Sequence, residues 1–286
     1  KSEPKDKKFI GLMKTYLHIE HIDPFEKLEH FRHLYDELVS EEISLNNKPD
    51  GKLFREGYVE INDGNQTTHI GVIGEDNIAV QLNELITYLR ASKQPQLYQY
   101  MVAHYFYEYI HPFYDGNGRT GRLLVGSYLA RYLEKYSAIT FSYAINENKS
   151  TYYKALEEIP FPTNKGEMTF YLIDMLKILS NGQKGIIEDL EINLMKLEKI
   201  NSYLHNMESL SEEAKNVLYI IVTIHVFVSE DLQLTLQDVM TLSKLSRYKL
   251  GHIMNELQHA EFVELQSKNP KAYKVCDGCL EEMMSL

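Results

Sequence analysis

The sequence contains no tryptophan, only two cysteines and no run of about 18 apolar residues. Without such a run, we expect no segment that crosses a bilayer and no membrane partner. The N-terminal stretch begins with basic residues but lacks the apolar core and cleavage site of a secretory signal, so we expect a cytoplasmic protein. Cys276 and Cys279 form a lone Cys-Asp-Gly-Cys without a second ligand pair, so we expect reduced, chemically idle thiols.

Surplus positive charge is also missing. Lys and Arg number 30 against 41 Asp and Glu, which gives a net charge of -11. Non-specific nucleic-acid binding depends on surplus cations, so this balance argues against it as the main role and leaves only a local basic patch open. The 286 residues suffice for one large or two ordinary domains, each with its own core.

Most of the sequence has the apolar periodicity of helices. Residues 95–110 are apolar nearly all round, which indicates a buried helix. Residues 57–71 instead alternate around Asn62-Asp63-Gly64-Asn65, which predicts a short β-hairpin. The predicted helices cover residues 24–39, 76–91, 95–110, 119–136, 149–158, 166–181 and 186–207.

From Ser211 onward the pattern predicts three helices followed by two strands. This order resembles a winged helix-turn-helix domain, in which residues 246–259 would take the place of the recognition helix. The predicted helices are 211–227, 235–245 and 246–260, and the strands are 261–266 and 272–276.

The segment HPFYDGNGRTGR, residues 111–122, lies between two predicted helices. A helix that restarts directly after Gly116, Asn117 and Gly118 directs its unpaired N–H groups at one spot. The helix dipole makes that spot an anion site, and glycine lets a phosphate approach closely.

Charged residues beside this turn add chemistry to it. Arg119 and Arg122 share one helix face, and two guanidinium groups suit a di- or triphosphate better than one carboxylate. Asp115 is placed to hold a Mg²⁺ that bridges phosphate oxygens. His111 could accept the proton of an attacking hydroxyl. Together they favour phosphoryl or nucleotidyl transfer.

The same string resembles the signature H-x-F-x-[D/E]-G-N-G-R-x-x-R of the Fic family at every fixed position. The resemblance extends over about residues 25–190, because the hairpin at 57–71 resembles the Fic flap. Tyr152-Tyr153 with Leu156 resembles the Tyr-Tyr-x-x-Leu stretch that follows the core. The Fic resemblance implies a mainly α fold, with a Fic-type helical bundle, N-terminal helices and a hairpin flap over 1–190. The periodicity of the remaining sequence predicts a helical linker over 191–209 and a winged-helix domain over 210–286.

The resemblance implies transfer of AMP from ATP, with Mg²⁺, to a Tyr, Thr or Ser hydroxyl of a target protein docked at the flap. In the related Doc-type kinases a Lys replaces the second glycine, so Gly118 favours AMP transfer over kinase chemistry. The roles carried over are His111 as general base, Asp115 as Mg²⁺ ligand, Phe113 as loop anchor, Gly116, Asn117 and Gly118 as anion hole, Arg119 and Arg122 as phosphate ligands, and Tyr153 as a nucleotide contact.

Two features depart from the family pattern. Many Fic proteins carry an inhibitory helix, [S/T]-x-x-x-E-[G/N]. Only the segments ending at Glu167 and Glu213 have the Ser/Thr-to-Glu spacing of this helix, and both lack the final Gly or Asn. We therefore expect Glu167 and Glu213 to be ordinary surface acids. Where some members have an adenine-contacting Asn, this sequence has Pro160, and Asn164 is the alternative. We expect His104 to be a core histidine.

The C-terminal region supports a second class of function. Residues 210–286 hold eleven acids and seven bases, yet residues 244–274 hold six bases and three acids. DNA binding through Arg247, Tyr248 and Lys249, protein docking and homodimer formation all stay open. The alternatives to AMP transfer are a nucleotide-responsive DNA-binding regulator and transfer of another phosphate-linked group.

Overall fold

The computed structural model describes residues 10–39, 43–62, 67–228 and 232–285. The chain is mainly helical with two small antiparallel sheets, as predicted. It divides into two compact units, residues 1–186 and 187–286. Within the described ranges, no helix is long and apolar enough to cross a membrane.

The first unit is built on helices that surround the pair α4 and α5. These two carry buried residues on nearly every side, which fits their lack of a polar stripe. The helices are α1 Ile10–Leu17, α2 Leu28–Val39, α3 Glu75–Ala91, α4 Gln96–Ile110, α5 Asn117–Tyr132, α6 Lys135–Glu147 and α7 Lys149–Glu158, with 3-10 turns at Ile19–His21 and Leu45–Asn47.

The hairpin predicted over 57–71 is present as β1 Glu60–Asn62 and β2 Thr67–Ile70. The strands are antiparallel, and Glu60 pairs with Ile70. Of the predicted turn residues 62–65, residues 63–65 lie outside the described residues. At its base, Gly71 N donates to Val59 O, and Val72 N donates to Ile110 O at the end of α4. The hairpin is therefore fixed to the helix that precedes the loop.

Helix α6 was not predicted. It begins directly after Glu134, whose carboxylate accepts hydrogen bonds from the N–H groups of Tyr136 and Ser137. A glutamate is an uncommon N-cap, and no Gly or Pro separates α5 from α6. The usual signals of a helix boundary are therefore missing from this part of the sequence.

Helix α8, Thr169–Asn206, joins two segments that were predicted as separate helices over 166–181 and 186–207. The stretch between the two predicted helices contains Gly182 and Gly185, and glycine disfavours a helix interior. A Cβ on Gly182 would lie 2.8 Å from the Ala144 Cβ and 3.1 Å from the Thr140 O. Glycine is thus needed there for close packing against α6, and the helix continues through it.

The second unit has its own apolar core, to which the later part of α8 contributes Leu197, Ile200 and Leu204. Its three strands form an antiparallel sheet in the order β3-β5-β4. The elements are α9 Glu212–Phe227, β3 Leu234–Thr235, α10 Leu236–Ser243, α11 Arg247–His259, β4 Val263–Lys268, β5 Lys271–Val275 and α12 Cys279–Met284. The winged-helix interpretation depends on this order of helices and strands.

Candidate active site

His111 ends α4 in an unusual backbone conformation. Its φ of 53° is in the left-handed region, where helix ends more often have glycine. Its N–H donates to Tyr107 O at 3.0 Å. The ring Nδ1 lies 3.3 Å from Glu108 O, which can only accept, so Nδ1 carries the proton. The other ring nitrogen, Nε2, keeps a lone pair that can accept a proton.

The environment of His111 keeps the imidazole neutral. Burial lowers its pKa to about 4. The Glu108 carbonyl opposes this shift, electrostatic interactions with Arg55 and His69 add to it, and Asp115 opposes it. At neutral pH the side chain is therefore a proton acceptor, which is the state that a general base requires.

The loop after His111 is held by an aromatic anchor and by an amide. Phe113 is fully buried and stacks on Tyr35, with ring centroids 3.7 Å apart. The buried side chain of Asn117 accepts from Phe113 N at 2.9 Å and donates to Phe113 O at 2.7 Å. Because this side chain is used within the loop, Asn117 can offer only its backbone N–H to a ligand.

The start of α5 is open where the loop meets it. Gly116 occupies the N-cap position with φ 83°, and a Cβ there would lie 3.0 Å from Val39 Cγ2. Asp115 Oδ1 accepts from Gly116 N at 2.6 Å, and Thr120 N donates to Gly116 O. The N–H groups of the first turn have no helical carbonyl before them, so they point out of the helix end.

Two arginines lie near this positive helix end. A Cβ on Gly118 would lie 3.0 Å from Arg122 Nη1, so the Arg122 guanidinium folds back toward the start of its own helix. Arg119 lies three residues before Arg122 on the same helix. Cations at a helix N-terminus oppose the helix dipole, an arrangement that an anion between them would make favourable.

A pocket lies between the end of α4, the start of α5 and helix α7. Four of the predicted residues line it: His111, Gly118, Arg122 and Tyr153. The other predicted residues, Phe113, Asp115, Gly116, Asn117 and Arg119, belong to the adjoining loop and first turn of α5. Also in the wall are His69, Tyr105, Glu108, Tyr109, Tyr152, Leu156, Glu157 and Pro160.

Glu108 lines the pocket but was not predicted from the sequence as a site residue. Its Oε1 is buried without a hydrogen-bond partner among the described residues. Burial raises its pKa to about 7, and the nearby Arg122 opposes the shift. Glu108 precedes His111 by three residues, about one helical turn, so both side chains lie on the same side of α4. This spacing is the sequence feature from which Glu108 could have been predicted.

His104 lies beneath the pocket as a fully buried core residue. Its Nε2 is 2.9 Å from the Tyr152 hydroxyl. Burial lowers the pKa of His104 to about 3, so the ring is neutral. His104 therefore supports Tyr152 through this hydrogen bond and does not line the pocket.

The residues considered above for the inhibitory glutamate and for the adenine contact have other partners. Glu167 accepts from Thr169 N at the start of α8, and Glu213 pairs with Lys249. The Asn164 amide donates to two carbonyls of its own loop, those of Ile159 and Glu167, while Pro160 lines the pocket.

The donor set for a metal is small. Within the described ranges, no group of three or more His, Cys, Asp or Glu side chains could hold an ion. Asp115 offers an exposed carboxylate beside the open end of α5. A single carboxylate fits Mg²⁺, which commonly takes one or two protein ligands and its remaining ligands from phosphates and water.

Comparisons with known proteins agree with this architecture. The model of the Fic/DOC family matches residues 23–129, which include the whole loop and α5 up to Leu129. The crystal structure of a Fic family protein from Desulfovibrio desulfuricans G20, at 2.70 Å resolution, has a similar fold with a TM-score of 0.56. The two share 19% sequence identity over 97% of this chain and 77% of the other. At that identity the likeness shows the fold.

Proposed function

We propose that this chain, whose residues 23–129 match the Fic/DOC family model, transfers AMP from ATP to a Tyr, Thr or Ser hydroxyl of a target protein. The family match supports transfer of a nucleotide-linked group as the general class. One observation carries the proposal: the same pocket is lined by a neutral His111 and by Gly118 and Arg122 at the open end of α5.

In the proposed reaction, His111 Nε2 accepts the proton of the target hydroxyl. The hydroxyl oxygen then forms a bond to the α-phosphorus, and the bond to the β-phosphate oxygen breaks to release pyrophosphate. The N–H groups of the first turn of α5 bind phosphate oxygens, and Arg119 and Arg122 balance the charge of the leaving group. Asp115 would hold Mg²⁺, which neutralises phosphate charge when bound.

One part of the pocket wall suits a planar base. Tyr105, Tyr109 and Tyr153 contribute aromatic rings, and Leu156 and Pro160 add apolar surface. Aromatic and aliphatic groups of this kind bind a purine through its faces. We assign the adenine to this wall, with Tyr153 as the contact that the family resemblance predicted.

We assign the target protein to the hairpin over residues 57–71. A two-stranded sheet has unpaired edges, and an extended target segment could add to one by main-chain hydrogen bonds. The hairpin base contacts the end of α4, so a segment bound there would lie near His111.

Labelled ATP tests the reaction directly. We would incubate the protein with cell lysate, Mg²⁺ and ATP labelled at the α- or γ-phosphorus, and repeat this with His111→Ala. AMP transfer predicts protein-bound α-label only, lost in the variant. Protein-bound γ-label alone would indicate kinase chemistry and contradict the proposal. Label from neither, with other nucleotide-linked donors active, would favour transfer of a different group.

DNA binding by the second unit is the other candidate function. Helix α11 exposes Arg247, Tyr248 and His252. Its sole acid, Glu256, accepts hydrogen bonds from the N–H and hydroxyl of Ser211. Apart from Glu256, α11 itself therefore contributes no carboxylate to its exposed face, which suits a phosphate-rich partner. Lys249 is paired with Glu213, which reduces the positive charge available.

Fluorescence anisotropy with duplex DNA at low and moderate salt tests this candidate. DNA binding predicts salt-sensitive affinity that falls in a combined Arg247→Ala, Tyr248→Ala variant and not in Lys177→Ala on the first unit. Absence of binding at low salt would leave protein docking or a homodimer, which sedimentation measures.

A further inference from the structure

Among the described residues, Arg55 is the largest fully buried side chain, with 0% exposure. No ion pair joins it to a carboxylate of these residues; burial lowers its pKa, and Tyr114 and Asp50 oppose that shift. A guanidinium keeps its proton in proteins, so this is a buried positive charge. A buried charge is costly unless polar groups compensate it. The hydrogen bonds that Arg55 forms therefore indicate its structural role.

The Arg55 side chain binds backbone carbonyls at the end of α4. Its Nε donates to His111 O at 2.9 Å, and its Nη2 donates to Ile110 O at 3.5 Å. The Arg55 N–H also donates to Pro112 O at 3.2 Å. Terminal carbonyls carry the negative end of the helix dipole, so the guanidinium is compensated by the helix end itself.

The same guanidinium also contacts the base of the hairpin on both sides. Nη1 donates to Gly57 O, where the chain enters the hairpin. Where the chain leaves it, a Cβ on Gly71 would lie 2.5 Å from Arg55 Nη2 and 3.0 Å from His111 Cβ. Gly71 must therefore lack a side chain for the hairpin to pack against both residues.

We propose that Arg55 is a positioning residue that fixes His111 and couples it to the hairpin on which the target docks. This inference rests on the proposed transfer reaction. The left-handed backbone of His111 is unfavourable for a residue with a side chain, and the bonds from Arg55 offset that cost. A change at the hairpin base is transmitted to the His111 carbonyl through one rigid, planar group.

Lysine cannot take this role. Arginine presents donors in a planar fork that reaches three carbonyls in different directions, whereas lysine offers one flexible ammonium. Arg55→Lys therefore retains a positive charge but loses the geometry. Arg55→Met removes both, so the two variants separate charge from position.

The charge of Arg55 also acts on the His111 ring. The side chains that act electrostatically on this ring are Arg55 before β1, His69 on β2 and Asp115 in the loop. Glu108 on α4, Arg122 on α5 and Glu157 on α7 are the other charged side chains that line the same pocket. Arg55 lowers the pKa of His111, so Arg55→Met raises it and moves the acid limb of the rate profile to higher pH.

The test compares Arg55→Lys and Arg55→Met with Arg32→Lys. Arg32 is a matched control, because its Nη1 also binds a backbone carbonyl, that of Leu53, while its Nε pairs with Asp36 near the surface. Arg55→Lys is expected to bind ATP within about twofold of the wild type, yet to lower kcat about 10- to 100-fold, as a misplaced base does, and to raise the KM for the target. Arg32→Lys should change none of these values.

Several results would overturn the inference. Wild-type kcat and target KM in Arg55→Lys would contradict positioning, and unfolding of both Arg55 variants would assign the residue to stability alone. NMR of the histidine rings supplies a readout independent of activity, since His111 signals should shift in Arg55→Lys while those of exposed His33 stay fixed. A wild type that transfers nothing would refute the proposed reaction, and an unchanged His111 signal would refute the coupling.

Discussion

Two helix ends meet at the loop of residues 111–116, and they are completed in opposite ways. The last carbonyls of α4 all accept hydrogen bonds, whereas the first N–H groups of α5 follow a glycine cap and point into the site. We call these the closed end and the open end. The donors to the carbonyls of residues 108–111 are, in order, His111 Nδ1, His69 Nε2, Val72 N with Arg55 Nη2, and Arg55 Nε.

The difference divides the work of the site between the two ends. At the closed end the backbone carbonyls of residues 108–111 all accept hydrogen bonds, so His111 is held in one backbone conformation and one tautomer. At the open end the first N–H groups of α5 have no helical carbonyl before them, so they can bind an anion. In the proposed reaction the closed end would therefore perform the proton transfer, and the open end would bind the phosphates.

Removal of the base should give the largest effect and leaves the open end intact. His111→Ala is expected to lower kcat about 10²- to 10⁴-fold, the usual contribution of a general base. Transfer of α-labelled AMP measures it, with surface His33→Ala as the control. Because the pKa of His111 is about 4, kcat of the wild type should stay level as the pH falls from 8 to about 6. An acid limb near the ordinary histidine pKa would contradict the closed-end account.

A side chain at Gly116 should damage the open end. Gly116→Ala places a Cβ at φ 83° and against Val39, so we expect a loss of about 2–3 kcal/mol in the free energy of unfolding. Gly166→Ala is the matched control, because its φ is 73° and a Cβ there meets nothing within 4 Å. Its loss should be about 1–2 kcal/mol, the backbone part alone. Equal losses in urea unfolding would show that Val39 does not limit this turn.

Glu108 lies between the two ends and should make stability depend on pH. Its pKa rises from 4.5 to about 7 on folding, so its stabilising contribution is present below pH 4.5 and is lost as the pH rises through 7. Glu108→Gln does not titrate, so the variant should gain stability over the wild type between pH 5 and pH 8, by on the order of 2 kcal/mol. A difference that stays constant with pH would contradict this.

The smallest effect is expected from one donor of the closed end. His69→Ala removes the 2.6 Å hydrogen bond to Tyr109 O and a ring contact with Tyr109. The other carbonyls keep their donors, so the loss should be about 1 kcal/mol of stability, with kcat lowered less than about tenfold. A loss of activity as large as that of His111→Ala would mean that His69 takes part in the chemistry.

The sequence predicted local features better than distant contacts. The loop, its glycines and both arginines are close in sequence, and helix periodicity correctly predicted a loop between two helices, with the arginines at the start of the second. Arg55 is 56 residues from His111, and no local pattern joins them. The helix boundaries near Glu134 and Gly182 were predicted wrongly. Glu134 caps α6 and Gly182 packs closely against it, and only the folded chain shows these contacts.

The site shows the same limit. Tyr153 was found because it belongs to a motif, while Tyr105, Tyr109 and Pro160 reach the pocket only through the packing of α4 against α7. Aromatic residues on a buried helix are usually core, so their spacing could not separate a wall position from a core position.

Binding of ATP with Mg²⁺ to His111→Ala and to Arg122→Ala, measured by calorimetry, tests the division between the two ends most directly. His111→Ala should bind ATP with a Kd within about twofold of the wild type although it transfers no AMP, since we propose that α5 binds the phosphates. Arg122→Ala should weaken binding by at least about tenfold, as expected for loss of a charged hydrogen bond to phosphate. Equal weakening in both variants, or wild-type binding by Arg122→Ala, would contradict the account.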